Sequence, residues 1–252
     1  MLYFLYELLA DYDLPGVGMF QYISFRSGAA IILSLFITMV FGKKMIRVLQ
    51  QKQIGEEVRD LGLEGQLEKK GTPTMGGVIV IAATLIPTLL WADLTNRFVQ
   101  IVVGAIVWFG IVGALDDYLK LHPRKGRRGL APLQKLVLQG MFGVALGIVY
   151  LLPMTSPVSQ EIASDWFVPF YKHAVLDNLG WFYLPYIVFV VMLISNSVNL
   201  TDGMDGLAIM PANFAVEVYG IIAYVLGNVF FARYLQFEYL AGTGELLIVC
   251  AS

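Results

Sequence analysis

Long runs without charged residues constrain this chain more than any other feature of its sequence. A membrane-spanning helix needs about 20 mostly apolar residues, and six runs approach or exceed that length while a seventh begins just before the last residue. These runs are 27–42, 71–92, 98–115, 136–160, 178–201, 206–227 (interrupted only by Glu217) and 246–252. Because 58% of the residues are apolar and only 14% are charged, one water-soluble core could not bury this much apolar surface.

We therefore predict an all-α fold, a polytopic transmembrane helix bundle with about six complete spans and a truncated seventh. Residues 1–252 are expected to form a single integral membrane domain that is incomplete at its carboxyl end, because the run 246–252 is too short to cross a bilayer. The single cysteine, Cys250, excludes a disulfide scaffold.

The basic residues set the predicted orientation. If the N-terminus lies outside, the inner segments 42–73, 116–135 and 197–206 contain thirteen of the 17 Lys and Arg residues, and the outer side contains four. Cytoplasmic segments of membrane proteins carry an excess of this kind. We therefore expect the N-terminus outside and these three segments on the cytoplasmic side.

Polar residues collect in three clusters at this inner boundary, at 69–77, 116–120 and 196–206. In the second cluster, Asp116 and Asp117 close an otherwise apolar helix. Such carboxylates either lie in headgroup water or face a bundle interior or a water-filled site, where they can take part in function. Neighbours on a helix point about 100° apart, so the two aspartates are expected to do different jobs, one holding a metal and the other taking a proton.

The third cluster spaces Asn199, Asp202 and Asp205 by three residues, which would align successive pairs on one helix face. Gly203 and Gly206 indicate that the helix is broken here, which frees backbone groups beside the acids. A polar turn between two spans is the simpler alternative, but a simple turn does not need this many amides and carboxylates. We favour a functional site.

The first cluster joins two lysines to a segment rich in Gly, Thr and Pro, a composition that suits phosphate binding at a helix start. It is not a P-loop, because no GxxxxGK[ST] string occurs. Carboxylates, lysines and hydroxyls together are typical of Mg²⁺-dependent phosphoryl chemistry. Since the clusters lie at the membrane surface, one substrate could be a lipid.

The clusters contain the strings KKGTPTMGG (69–77), GALDDYLK (113–120) and NLTDGMDGLAIMP (199–211). With them, the whole chain resembles the phospho-N-acetylmuramoyl-pentapeptide transferases, a branch of the polyprenyl-phosphate N-acetylhexosamine-1-phosphate transferase superfamily. DD and NxxDGxDGLA are features of the superfamily, whereas TPTMGG favours the muramoyl-pentapeptide branch. The fold of that family has ten transmembrane helices.

The resemblance implies a Mg²⁺-dependent phosphoglycosyl transferase of peptidoglycan synthesis. Phospho-N-acetylmuramoyl-pentapeptide would pass from UDP-N-acetylmuramoyl-pentapeptide to undecaprenyl phosphate, giving lipid I and UMP, at the inner face of the bacterial cytoplasmic (inner) membrane. The implied partners are these two substrates and membrane lipid, and no nucleic acid is expected. A homodimer is a further expectation, because Gly143 and Gly147 are spaced for close helix packing.

The resemblance also implies roles for individual residues. Asp116 and Asp117 match the catalytic acidic pair near the metal and the lipid phosphate, with Asp116 as the base and Asp117 as a metal ligand. The implied substrate-binding residues are Asn199 and Asp202 in the polar wall of the nucleotide-sugar site, Gly203, Met204 and Asp205 in the uridine pocket, Lys69, Lys70 and Thr74 in a basic loop, and Lys120 and Lys135 near phosphate.

The sequence departs from the family pattern in one respect. The family has a further metal-binding aspartate in an FMGD-type loop and a later His-rich loop, and both would follow Ser252. We therefore expect no turnover from a molecule that ends at Ser252.

Two alternative functions stay open. One is a related enzyme that transfers N-acetylglucosamine-1-phosphate from UDP-N-acetylglucosamine to undecaprenyl phosphate. The other is a transporter or channel, which would need polar groups deep in several spans. Only Glu217 carries a charge in mid-span, and we expect it to face a polar cavity or to pair with a neighbour.

The orientation can be tested by mapping the accessibility of single cysteines from each side of the membrane. We expect 42–73, 116–131 and 197–206 to react only from the cytoplasmic side, because of the thirteen-to-four excess of basic residues. A reporter at Asp117 that reacts from the outside would overturn both the orientation and the shared boundary of the three clusters.

Overall fold

The protein is described by a computed structural model in which residues 2–9, 16–51, 75–121, 129–167, 174–201 and 207–252 are placed. These ranges contain nine α-helices joined by turns. The helices are α1 (Leu2–Leu9), α2 (Ile23–Gln51), α3 (Gly77–Trp91), α4 (Arg97–Leu121), α5 (Pro132–Leu151), α6 (Tyr183–Thr201), α7 (Ile209–Leu226), α8 (Val229–Tyr234) and α9 (Leu246–Ala251).

Five of these helices, namely α2, α4, α5, α6 and α7, are long and apolar enough to cross a membrane. The all-α, polytopic membrane fold is therefore confirmed. The predicted span 71–92 corresponds to α3, which is apolar but only 15 residues long over its described part. It packs against α2, so that the described bundle contains a sixth apolar helix beside the five candidate spans.

Two helices do not end where their uncharged runs end. The run 136–160 is longer than the helix within it, because α5 stops at Leu151 and residues 152–160 form turns. Pro153 cannot donate a helical hydrogen bond, and its ring excludes a regular helix there. In contrast, α2 extends beyond residue 42 to Gln51, so that three of the predicted inner cations lie on a helical extension. These cations are Lys43, Lys44 and Arg47.

Helices α5 and α6 are antiparallel and meet through small residues. A Cβ atom on Gly143 would come within 2.9 Å of the Val188 Cα, and one on Gly147 would lie 3.5 Å from the Leu184 Cα. Approach this close between backbones is the contact that glycine permits in membrane bundles. The two glycines expected to support close packing are therefore used inside the chain, and the homodimer stays a prediction.

A buried ion pair joins α2 to the start of α9. Arg26 is only 1% exposed, and its two terminal nitrogens donate to the two carboxylate oxygens of Glu245, one of them at 2.8 Å. The same guanidinium donates to the Trp91 carbonyl at 3.1 Å, and the Asp93 amide donates to Glu245 at 3.0 Å. The N-terminal ends of α2 and α9 are thus fixed to the C-terminal end of α3, although sequence reasoning treated Arg26 only as an outer cation.

Glu217 lies on an exposed face of α7. Its Oε1 accepts a hydrogen bond from the Asn213 side chain at 2.7 Å, one turn earlier on the same helix. The expected pairing with a neighbour is therefore confirmed.

The α5–α6 contact predicts different effects on stability for two glycine substitutions. Gly143→Ala should lower stability by about 1–3 kcal/mol, because overpacking forces the backbones apart. Gly104→Ala is the matched control on α4, since nothing lies within 4 Å of its Cβ position. It should be neutral or gain up to about 1 kcal/mol of helix propensity. Thermal unfolding in detergent measures both, and equal midpoints would contradict the contact.

Candidate active site

The candidate site forms where α4 ends and α5 begins. These helices are antiparallel. They are joined by a hydrogen bond that the Trp108 indole nitrogen donates to the Leu138 carbonyl at 3.1 Å. The rings of Phe109 and Phe142 meet edge to face, with centroids 5.2 Å apart. This register brings the last turns of α4 beside the first turn of α5.

Asp116 is the buried acid of the site, with 8% of the residue exposed. Its Oδ1 accepts the backbone N–H of Leu130 at 2.8 Å. Its Oδ2 accepts from Lys135 Nζ at 2.9 Å and pairs with Lys120 Nζ at 3.0 Å. Both carboxylate oxygens therefore have partners, and two cations compensate the negative charge that would otherwise be costly at the edge of hydrocarbon.

Asp117 has a different environment, as the 100° turn between helical neighbours predicts. Its side chain is 29% exposed, against 11% for that of Asp116. Among the described side chains it pairs with Lys120 alone, through Oδ1 at 3.1 Å. Lys120 thus bridges the two acids, and Asp117 is the more accessible carboxylate.

Gly129 lets the chain pass directly over the buried acid. It has a φ of +85°, and a Cβ atom there would lie 2.8 Å from Asp116 Oδ1 and 3.2 Å from Lys120 Cγ. Glycine adopts this left-handed conformation without the steric cost that other residues incur. Sequence reasoning did not identify Gly129, because its conformation depends on the path between α4 and α5.

A second polar contact joins α5 to α6 one turn away. The Gln139 side-chain nitrogen donates to the Ser195 hydroxyl at 3.0 Å, and the Asn196 side-chain nitrogen donates to the Gln139 oxygen at 2.8 Å. We call Gln139, Ser195 and Asn196 the amide cluster. In the sequence, Gln139 is an amide in an apolar run, four residues after Lys135, and this pattern does not show its partners on α6.

The structure brings four of the predicted site residues together and places a fifth at the end of α6. Asp116, Asp117, Lys120 and Lys135 form one connected ion-pair group. Asn199 is exposed in the last turn of α6, one turn beyond Asn196. The remaining predicted residues lie outside the described ranges, so their roles stay predictions. They are Lys69, Lys70, Thr74, Asp202, Gly203, Met204 and Asp205.

The described residues offer a limited set of metal ligands. Within them no group of three or more His, Cys, Asp or Glu side chains could hold a metal ion. Mg²⁺ does not require such a group, because one or two carboxylates together with waters and substrate phosphates commonly hold it. The accessible carboxylate of Asp117 fits that chemistry, whereas both oxygens of Asp116 already contact cations or an amide.

Comparison with known proteins identifies the family. The model described as glycosyl transferase family 4 matches residues 99–246, and the phospho-N-acetylmuramoyl-pentapeptide-transferase signature 1 matches residues 69–81. A relative from Maricaulis maris is 43% identical over 100% of this chain and 69% of its own length. Relatives from Caulobacter vibrioides and Flavobacterium psychrophilum are 40% and 36% identical over 100% of this chain and 69% and 70% of their lengths. All three are named phospho-N-acetylmuramoyl-pentapeptide-transferase.

The chain belongs to the phospho-N-acetylmuramoyl-pentapeptide-transferase family. The expectation drawn from the three motifs is confirmed, and the protein is a transferase. The family match 99–246 includes the whole ion-pair group and Asn199, while the signature includes Lys69, Lys70 and Thr74.

Gly129→Ala tests whether the path over Asp116 matters for turnover by this transferase. The new methyl group would displace the Asp116 carboxylate, and a displacement of about 1 Å in a catalytic site can cost about 100-fold in rate. Gly16→Ala is the matched control, because Gly16 has a φ of +93° but its Cβ position meets only the end of Met19, at 3.6 Å.

Both variants have a similar backbone cost of about 1–2 kcal/mol, but only Gly129→Ala should lose turnover. Initial rates and thermal midpoints of the full-length variants measure the two effects separately. Equal rate losses in the two variants would contradict the geometry.

Proposed function

We propose that this protein transfers phospho-N-acetylmuramoyl-pentapeptide from UDP to undecaprenyl phosphate, giving lipid I and UMP in peptidoglycan synthesis. The reaction would take place at the cytoplasmic face of the bacterial inner membrane. The observation that carries the proposal is the buried Asp116 held by Lys120 and Lys135 at a membrane boundary, in a chain of this family.

The two lysines are suited to bind phosphate groups. Their side chains are 46% and 30% exposed, for Lys120 and Lys135 respectively, while each ammonium keeps a contact with Asp116. An ammonium group has three donors, so a lysine that pairs with Asp116 can still donate to a phosphate oxygen. In this arrangement Asp116 orients the cations at the point where α4 and α5 meet.

The reacting atoms can be assigned in balanced form. A protonated oxygen of undecaprenyl phosphate would give its proton to Asp116, and that oxygen would form a new bond to the phosphorus attached to the sugar. The bond from that phosphorus to the bridging oxygen breaks, and UMP leaves. Asp116 in the role of base and the lysines as charge-neutralising donors are both part of the proposal.

Mg²⁺ is also part of the proposal, with Asp117 as the described residue that would help to hold it. When bound, it would neutralise the charge of the diphosphate during transfer. Asp117 is accessible and contacts a single described cation, which supports this assignment over Asp116.

The nucleotide side of the site is proposed from the motifs. Asn199 and Asp202 would form the polar wall of the nucleotide-sugar site, with Gly203, Met204 and Asp205 around uridine. Lys69, Lys70 and Thr74 would form the substrate-side basic loop. Membrane lipid surrounds the bundle, and undecaprenyl phosphate would reach the ion-pair group from it.

The activity is tested with the full-length protein in detergent, supplied with UDP-N-acetylmuramoyl-pentapeptide, undecaprenyl phosphate and Mg²⁺. We expect equal amounts of UMP and lipid I. Asp116→Asn should lower kcat by about 10²- to 10⁴-fold, the usual contribution of a general base. Glu161→Gln is the matched control, because Glu161 is an exposed acid in the turns after α5, at the opposite end of that helix from Lys135.

Two results would overturn the proposal. Turnover of UDP-N-acetylglucosamine in place of the muramoyl-pentapeptide substrate would assign the protein to the related N-acetylglucosamine-1-phosphate reaction. Unchanged kcat in Asp116→Asn at saturating Mg²⁺ would remove Asp116 from the mechanism.

A further inference from the structure

The amide cluster is a buried polar contact between two apolar helices. Gln139 is 7% exposed, and both ends of its side-chain amide are bonded to α6, through Ser195 and Asn196. Asn196 also donates to the Met192 carbonyl at 2.7 Å, which fixes its own rotamer. A buried amide without partners would be costly, so these bonds select one arrangement of α6 against α5.

The glycine contact between the same helices restricts their spacing and register by close packing. Gly143 and Gly147 lie against the backbone and the apolar side chains of α6. Hydrogen bonds require donor and acceptor to be aligned within a narrow range of distance and angle. The amide cluster therefore adds a directional constraint on both the rotation of α6 and its axial position against α5.

The cluster lies one turn from the candidate site on each helix. Lys135 precedes Gln139 by four residues, about 6 Å along α5, and it contacts Asp116 at 2.9 Å. Asn199 follows Asn196 by three residues, about 4.5 Å along α6. Since the helices are antiparallel, Lys135 on α5 and Asn199 on α6 lie at about the same level of the bundle, both displaced from the amide cluster in the same direction.

We propose that the amide cluster is a positioning device that sets the distance between the Asp116–Lys135 ion pair and the carboxyl end of α6. This proposal rests on the proposed function, in which the ion pair meets the lipid phosphate and Asn199 meets the nucleotide-sugar. In this proposal Gln139, Ser195 and Asn196 act through the helices and not by contacting a substrate. They hold two half-sites, the Asp116–Lys135 ion pair and Asn199, at the separation that the transfer step requires.

Positioning has a kinetic signature that differs from binding. Each half-site keeps its own side chains when the cluster is lost, so each substrate should still bind. The transfer step depends on the alignment of both substrates, and misalignment by about 1 Å can cost about 100-fold in rate. Loss of the cluster should therefore lower kcat and leave the two KM values nearly unchanged.

The test uses Gln139→Met, which keeps the approximate volume and removes both hydrogen bonds to α6. We expect kcat to fall by about 10- to 100-fold, with each KM changing by less than about threefold. Gln100→Met is the matched control, because Gln100 is an exposed glutamine near the start of α4, where it bonds the Leu94 carbonyl. Ser195→Ala removes one bond only and should give a smaller loss in the same direction.

The pairing itself is tested with Asn196→Leu and the double variant. If Gln139 and Asn196 act through each other, the double variant should lose no more kcat than the more damaged single variant. Multiplied losses would show that the two amides act separately, and would overturn the positioning role of the pair.

A spin-label distance gives a readout that does not depend on activity. Labels at Leu133→Cys and Leu200→Cys, in a Cys250→Ser background, would report the spacing of α5 and α6 at the site end, since Leu133 and Leu200 are 71% and 87% exposed. We expect the distance distribution to shift or broaden in Gln139→Met and to stay unchanged in Gln100→Met. An unchanged distribution in Gln139→Met would overturn the proposal.

The two readouts separate failure of the inference from failure of the function. Absence of lipid I formation by the unsubstituted protein would reject the proposed function, and with it the transfer role of the cluster, whatever the distances. Normal lipid I formation together with normal kcat in Gln139→Met would reject the inference alone.

Discussion

The neutralisation of one buried carboxylate is the constraint around which the candidate site of this protein is arranged. Asp116 sits at the end of an apolar helix, where an unpaired charge would be costly. Its negative charge is compensated by Lys120 of the same helix, by Lys135 of α5 and by the Leu130 amide of the connecting segment. Because these partners come from two helices, satisfying the charge also fixes how α4 ends and how α5 begins. Gly129 completes the arrangement, since only a residue without a side chain fits over the carboxylate.

Helix α5 transmits this constraint to the rest of the site. One face of it meets α4 through Lys135, Leu138 and Phe142. Another face of α5 meets α6 through the amide cluster and through Gly143 and Gly147. Lipid tails are as apolar as the side chains that face them, so hydrophobic burial alone gives little preference for one helix register over another in a bilayer. Directional polar contacts and close backbone approach therefore determine the register, and α5 carries both kinds.

The sequence predicted the membrane class, the approximate positions of the spans and the family, because each is expressed locally as an uncharged run or a short motif. It predicted that Asp116 and Asp117 would differ, since adjacent helical residues face different neighbours, and their unequal exposure agrees. The uncharged run 136–160 alone does not show where α5 ends, because the run continues past Pro153 although the helix stops at Leu151. The sequence did not predict the pairing of Lys135 with Asp116 or the bonds of Gln139, because both depend on how two helices are registered. The roles assigned to residues 69–74 and 202–206 stay predictions, since those residues lie outside the described ranges.

The Arg26–Glu245 pair has a consequence for how the protein is made. Its two partners are separated by 219 residues, and ribosomes add roughly 5–20 residues per second. Arg26 therefore waits on the order of 10–45 s for its carboxylate to be synthesised. During that interval the guanidinium must remain hydrated or be held by another group, so the amino-terminal end of α2 cannot reach its final environment while the later helices are still being added. Final closure of this end of the bundle is thus a late event of biosynthesis, even though it involves one of the earliest helices.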